Sequence, residues 1–264
     1  IVRVASGDLS PVKIDRLDIR LLRLPLAHFF ETSFGRVHDR TFLLLRVEGE
    51  GQVGWGEAVA EAHPYYSSET TETSWHIITE FLAQRVVGQT FEHPREIFPA
   101  MARVRGHNMA KAGIEMAAWD LAARQRGVSL STLLSSSRQA RGAGAPRTFI
   151  ESGVSIGIQD SLDELVERVA IERAAGYRRV KIKIKPGWDI RAVERIRERF
   201  GDISLMVDAN AAYTLEDAPR LAHHPRAVSE VLVPDWRQAE HRPRVAGAQR
   251  ADHDVVHARR VLLD

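Results

Sequence analysis

Between Val180 and Pro186, lysine stands at every second position: Val180-Lys181-Ile182-Lys183-Ile184-Lys185-Pro186-Gly187. Alternate side chains of an extended strand share a face. The spacing therefore predicts three ammonium groups on one side and Val180, Ile182 and Ile184 on the other. A helical pattern precedes this strand and another follows it, which is the rhythm of a parallel α/β sheet. Strands of such sheets are usually apolar on both faces, because helices cover them. Lysines on one face need a reason, and two are open. Crowded ammonium groups disfavour one another's charge, lower a lysine pKa and create a base. Alternatively, this is an edge strand whose lysines guard against aggregation.

The segment Ile203-Ser204-Leu205-Met206-Val207-Asp208-Ala209-Asn210 is an apolar strand that stops at an acid. Function collects at the carboxyl ends of parallel strands, so Lys183 and Asp208 are expected side by side at one rim. A base beside a carboxylate able to hold a hard cation suits removal of a proton next to a metal-bound carboxylate or carbonyl. Taken alone, Asp208 reads more simply as a helix N-cap or Asx-turn acid.

Together these motifs resemble a known family. Lys181-Ile182-Lys183 with Pro186-Gly187-Trp188-Asp189, and Val207-Asp208-Ala209-Asn210-Ala211-Ala212-Tyr213-Thr214-Leu215, look like the enolase superfamily. Within it the nearest group is the o-succinylbenzoate synthase and N-acylamino acid racemase family. Phe30-Glu31-Thr32-Ser33-Phe34-Gly35 resembles the mobile substrate loop of that family's capping domain. Gly54-Trp55-Gly56-Glu57 and Tyr66-Ser67-Ser68-Glu69 resemble its strand and following loop. Gly106 to Ala112, continuing through Met116 to Asp120, matches the long helix, and Ser152 to Gly157 the first barrel strand. The resemblance runs from about residue 12 to about residue 222.

It implies an α+β capping domain followed by a (β/α) TIM-type barrel, and proton abstraction next to a carboxylate held by Mg2+ or Mn2+. Lys183 would be the base, Lys181 would lower its pKa by like charge, and Asp208 would be a metal ligand. Phe34 and Tyr66 match positions that close over the substrate, and Ser155 matches one that lines the barrel. The implied partner is a small carboxylate, and a homo-oligomer is open. Dehydration (a step of menaquinone synthesis) and racemisation share an intermediate, so the sequence does not choose between them.

The domain reading is a capping domain over 1–135, a linker at 136–149, a partial barrel over 150–235 and a divergent tail over 236–264. Strand character is expected over Lys13 to Leu26 and Thr41 to Gly56, and helical spacing over Trp75 to Val87, Phe98 to Arg105 and Met109 to Arg126. Ser135 to Pro146 reads as a flexible connection. Ser161 and Glu164 suggest a capping box, and Ile190, Val193, Ile196 and Phe200 form an apolar helix stripe. Barrel strands are expected near 152–158, 179–185 and 203–207, and weakly at 229–233. A full barrel takes about 200 residues or more, so about half of one is expected here.

After Leu221 the family pattern calls for a strand ending in a metal-binding glutamate. The sequence instead runs Glu230-Val231-Leu232-Val233-Pro234-Asp235-Trp236, leaving Glu230 or Asp235 as substitutes outside the motif. The lysine expected across the barrel is absent. The chain reads as a truncated or frame-shifted product, with a short natural variant as the alternative. The rival functions are a catalytically inactive fragment and a non-enzymatic binding module.

With 44% hydrophobic and 27% charged residues and a formal charge of +2, the 264-residue chain is an ordinary globular composition. No basic run interleaved with aromatics suggests nucleic acid, and no apolar run suits a bilayer. Charges throughout Ile1 to Pro25 argue against a secretory signal, so the cytoplasm is the expected compartment. The absence of cysteine excludes disulfides and thiol catalysis. His253-Asp254-Val255-Val256-His257 has the spacing of a zinc-protease helix but lacks a third ligand. His223-His224 reads as a solvated turn, Trp119-Asp120 as helix packing with a bond to a neighbouring element, and Lys111 as a surface or inter-element lysine.

Overall fold

A computed structural model describes residues 11–139, 149–217, 230–231 and 259–260. They belong to two compact units. The first takes the chain to Pro25, Asp39–Phe149 and the end from His257; the second takes Leu26–His38 and Ile150–Val256. Among the described residues no helix is long and apolar enough to cross a membrane.

The chain begins with β1 (Val12–Lys13), β2 (Arg16–Thr32), β3 (Gly35–Gly49) and β4 (Gln52–Ala58), which belong to the first unit except for Leu26–His38, the adjoining ends of β2 and β3. The burial of β3 alternates from Leu43 to Val47, so one face meets a core containing Leu43, Leu45, Ile78, Leu82 and Ile114. β2 and β3 run on past the expected ends and meet at a two-residue turn, Ser33-Phe34. The stretch that reads as a loop in the sequence is thus a hairpin tip. α1 (Thr71–Ile77), a π-helical stretch (Ile78–Leu82) and α2 (Ala83–Val86) form one continuous helical run. It starts earlier than the apolar spacing suggests because Thr70 and Thr73 make a reciprocal capping box.

β5 (Thr90–Phe91) pairs with β1, and α3 (Ile97–Ala100) follows. The helix expected to reach Arg105 stops at Ala100; Gly106 and His107, at φ 67° and 51°, then turn the chain into α4 (Asn108–Gln125). Asp120 accepts the Trp55 amide at 2.9 Å, which is the inter-element bond expected of Trp119-Asp120. Lys111 is 4% exposed, not a surface lysine; its ammonium donates to the Val104 carbonyl and lies 5.7 Å from the Phe98 ring centre. α5 (Leu130–Gln139) takes up the start of the expected flexible connection, whose remainder lies outside the described residues.

The first turn of α4 has no side-chain cap of its own. The buried Glu69 carboxylate fills that role, accepting the Met109 amide at 3.0 Å and the Ala110 amide at 3.2 Å. An anion on the exposed N–H groups of a helix start satisfies donors and the dipole together. Glu69→Ala should therefore lower the stability of this unit by about 2 kcal/mol. Urea unfolding followed by circular dichroism measures it, and a loss within error of zero would refute the capping role.

The second unit holds β6 (Gly153–Ile156), α6 (Leu162–Ala174), β7 (Arg179–Lys183), α7 (Ile190–Phe200), β8 (Ser204–Asp208) and β9 (Glu230–Val231). The four strands are parallel in chain order. Ser161 caps α6 by accepting the Glu164 amide at 3.1 Å. Leu165, Val169, Val193 and Ile196 pack with Val180, Ile182 and Val207 in one core. The lysine-free face of β7 is thus buried in that core. β7 lies between β6 and β8, so the edge-strand explanation of its lysines fails.

A final strand, β10 (Arg259–Arg260), pairs antiparallel with Arg23 and Leu22 on β2. The rest of the expected tail, including His253 and His257, lies outside the described residues, as do Asp235, His223 and His224.

Candidate active site

The β7–β8 register sets Lys183 opposite Asp208 and Lys181 opposite Met206. Lys183 Nζ donates to Asp208 Oδ2 at 2.7 Å, and Lys181 Nζ lies 3.6 Å from the same oxygen. The Lys183 and Asp208 side chains are only 9% and 21% exposed, so the pair is largely withdrawn from water. The three ammonium groups on the strand face do not stand bare. Asp208 serves two, and Lys185 donates to Glu31 Oε1 at 2.8 Å.

Asp208 is also fixed by backbone. Its carbonyl accepts the Ile184 amide at 2.9 Å, and its Oδ1 accepts the Asn210 amide at 3.0 Å. This is the Asx-type turn its position allowed, and it coexists with the lysine pair. Asn210 and Ala211 are both left-handed, at φ 47° and 60°. That conformation costs a non-glycine residue about 1–2 kcal/mol, and such strain collects at functional sites. Burial pushes the Asp208 carboxyl up. The hydrogen bond and charge of Lys183, the Asn210 amide and the charge of Lys181 outweigh it and hold the group below the usual carboxylate range.

Ser155 on β6 is in register with Lys181. Its Oγ is buried without a hydrogen-bond partner among the described residues, and Asn210 Oδ1 shares that condition. Unsatisfied buried polar atoms are costly, so a bound group that pairs with them is their natural complement. Phe30 places its ring centre 5.9 Å from Lys183 Nζ. Phe34 sits at the turn of the same hairpin tip, 43% exposed. Tyr66 belongs to the other unit, between β4 and α1, and is half-buried there.

The structure therefore gathers Lys181, Lys183, Asp208 and Ser155 on one sheet and keeps Phe34 in the same unit. Sequence reasoning missed Phe30, Glu31 and Asn210 as individual contributors. The only hint for Lys185 was its place in the alternation.

A divalent cation at Asp208 is not supported by its surroundings. Among the described residues no group of three His, Asp or Glu side chains is placed to hold a metal. Both Asp208 oxygens already accept hydrogen bonds. Glu230 is in register with Met206, two residues short of the Asp208 level. Hard cations take six or more oxygens, and a site usually contributes more than one of them from carboxylates. The described residues do not fit the ion, and no chemistry below is routed through it.

Comparison with known proteins places this geometry. Residues 18–135 match the mandelate racemase / muconate lactonizing enzyme N-terminal domain, and residues 164–236 match the enolase C-terminal domain-like family. An o-succinylbenzoate synthase of Geobacillus kaustophilus is 43% identical over 80% of the chain and 54% of its own length. An N-succinylamino acid racemase of Thermus thermophilus is 41% identical with the same coverage. A solved structure from Enterococcus faecalis, described as an unknown member of the enolase superfamily, superposes with a TM-score of 0.69 at 38% identity. That match covers 83% of this chain and 57% of the other. The chain thus spans about half the length of the relatives it matches. With both domain families and relatives of this closeness in agreement, the chain belongs to the o-succinylbenzoate synthase and N-acylamino acid racemase family of the enolase superfamily.

Proposed function

We propose that this sheet carries the proton-transfer chemistry of that family, acting on a small carboxylate. The observation that supports it most directly is the Lys183–Asp208 contact at 2.7 Å, on a sheet that also carries Lys181 and, on the adjoining β6, the Ser155 hydroxyl, which has no hydrogen-bond partner among the described residues. As a free amine, Lys183 takes the proton next to the substrate carboxylate; as an ammonium it returns one. Ser155 Oγ and the Lys181 ammonium are suited to orient the substrate's oxygens. Returning the proton to a departing hydroxide completes a dehydration with one lysine. Racemisation would add a second base across the substrate carbon. Both reactions begin with the same proton abstraction by Lys183.

The test uses purified protein with Mg2+ or Mn2+, the cofactors that the family resemblance implies, and an o-succinylbenzoate precursor or N-succinylamino acid. Exchange of the substrate α-proton with solvent deuterium is followed by NMR. Lys183→Ala should slow exchange by about a thousandfold. Equal exchange in wild type and variant would overturn the assignment. A second reading, a catalytically silent carboxylate-binding module, draws on Asp208 being the carboxylate that Lys183 and Lys181 share. It predicts substrate binding by calorimetry with no isotope exchange in either protein.

A further inference from the structure

The third lysine of the strand faces a different task. Lys185 Nζ donates to Glu31 Oε1 at 2.8 Å, and Arg36 Nε donates to Glu31 Oε2 at 2.6 Å. Arg36 reaches on to Asp160, and its guanidinium carbon lies 3.8 Å from the Phe29 ring centre. Two cations and two carboxylates thus form a balanced network. Glu31, at 13% side-chain exposure, is its most buried member. Main chain joins in: the Ile158 amide donates to the Glu31 carbonyl at 2.9 Å. The approach depends on Gly157, where a Cβ would lie 2.9 Å from the Glu31 nitrogen, 3.1 Å from its oxygen and 3.3 Å from Phe30 Cδ2. Next to Glu31 in sequence, Phe30 faces the Lys183 ammonium.

We propose that Glu31 is a positioning residue: held by Lys185 and Arg36, it seats the hairpin tip so that Phe30 covers Lys183. This deepens the reading of Lys183 as the proton-transfer lysine and gives Lys185 a role apart from proton transfer. A carboxylate this buried is stable only while its cations remain, since an uncompensated charge withdrawn from water is costly. Losing either partner therefore releases the tip and bares Lys183. The ring also gives the covered site an apolar wall, which suits a carboxylate with an aromatic or aliphatic body over a small polar one.

The test needs no substrate, so its outcome is separate from whether the protein turns over. Hydrogen exchange is read at the Ile158 amide, which reports docking because Glu31→Gln leaves its carbonyl acceptor in place. Labelling of Lys183 by an amine-reactive acylating agent is quantified in parallel by peptide mass spectrometry. Glu31→Gln and Lys185→Met should each speed both by about tenfold, while the Ile182 amide on β7 stays as protected as in wild type. Lys185→Arg, which keeps the cation, should restore wild-type values. Gly157→Ala should reproduce the loss by an uncharged route. Asp163→Asn, which breaks the separate Arg195 pair, should change neither reading. Wild-type rates in Glu31→Gln and Gly157→Ala would overturn the proposal. So would an equal rise at Ile182, which would mark general loss of structure.

Discussion

Asp208→Ala is expected to destabilise the parallel-sheet unit by about 3 kcal/mol, the low end for breaking a mostly buried ion pair. The change strands the Lys183 ammonium, 9% exposed, beside that of Lys181, with the shared counter-charge gone. It also removes the acceptor of the Asn210 amide, which helps fix the left-handed pair that follows. Removing both partners is a different matter, because a well-packed apolar pair need not cost stability. The double variant Asp208→Leu with Lys183→Met should recover most of the loss. Urea unfolding of the three proteins measures it, and a single-variant loss below about 1 kcal/mol, the range of an exposed pair, would contradict the account.

The acid dependence has a definite sign. The folded Asp208 carboxyl is held below its ordinary range, so its contribution is complete above the unfolded aspartate value near 4. It is lost as pH falls through the lower folded value. The wild-type advantage over Asp208→Ala should therefore be flat near neutrality and shrink below about pH 4.

Gly54→Ala should be at least as damaging to the other unit, by about 4 kcal/mol or outright failure to fold. A Cβ there would lie 2.1 Å from the Ala117 carbonyl oxygen and 2.4 Å from the Leu121 nitrogen. Both are helix backbone and cannot swing aside. Gly56, two residues along the same strand face, meets Gly113 and Ala117 in the same way, so β4 and α4 are in backbone contact along a line. Relief requires displacing α4 from the sheet and opening the core around Leu45, Ile114 and Leu121. Thermal unfolding by circular dichroism tests this, and a midpoint within a few degrees of wild type would refute the close-packing argument.

The parts legible in the sequence are those in which neighbouring residues report on each other. The Val180–Lys185 alternation and the acid at the end of the next strand specify β7, β8 and their register, because period and strand end are local properties. The Ile190, Val193, Ile196 stripe likewise locates α7. The backbone contact at Gly54 is not legible, because nothing near a glycine says what approaches it. Glu31 escapes notice for a related reason: it reads as one polar residue in a loop until folding brings Lys185 to it. Helix starts fared unevenly. Ser161 is visible as a cap, whereas the Thr70–Thr73 box and the borrowed Glu69 cap lack the usual Glu or Gln at the third position.

The grouping of Leu26–His38 with the parallel sheet has a practical consequence for dissection of the molecule. A gene fragment opened at Ile150, the evident cut in the linear map, would encode the sheet without Phe30, Glu31 or Arg36. Gly157 and Ile158 would then face solvent where they now meet backbone, and Lys185 would lose its anion. The lysine strand is therefore not a portable cassette. Any minimal version must graft the upstream hairpin tip onto it, as by circular permutation that joins the two segments in a new order.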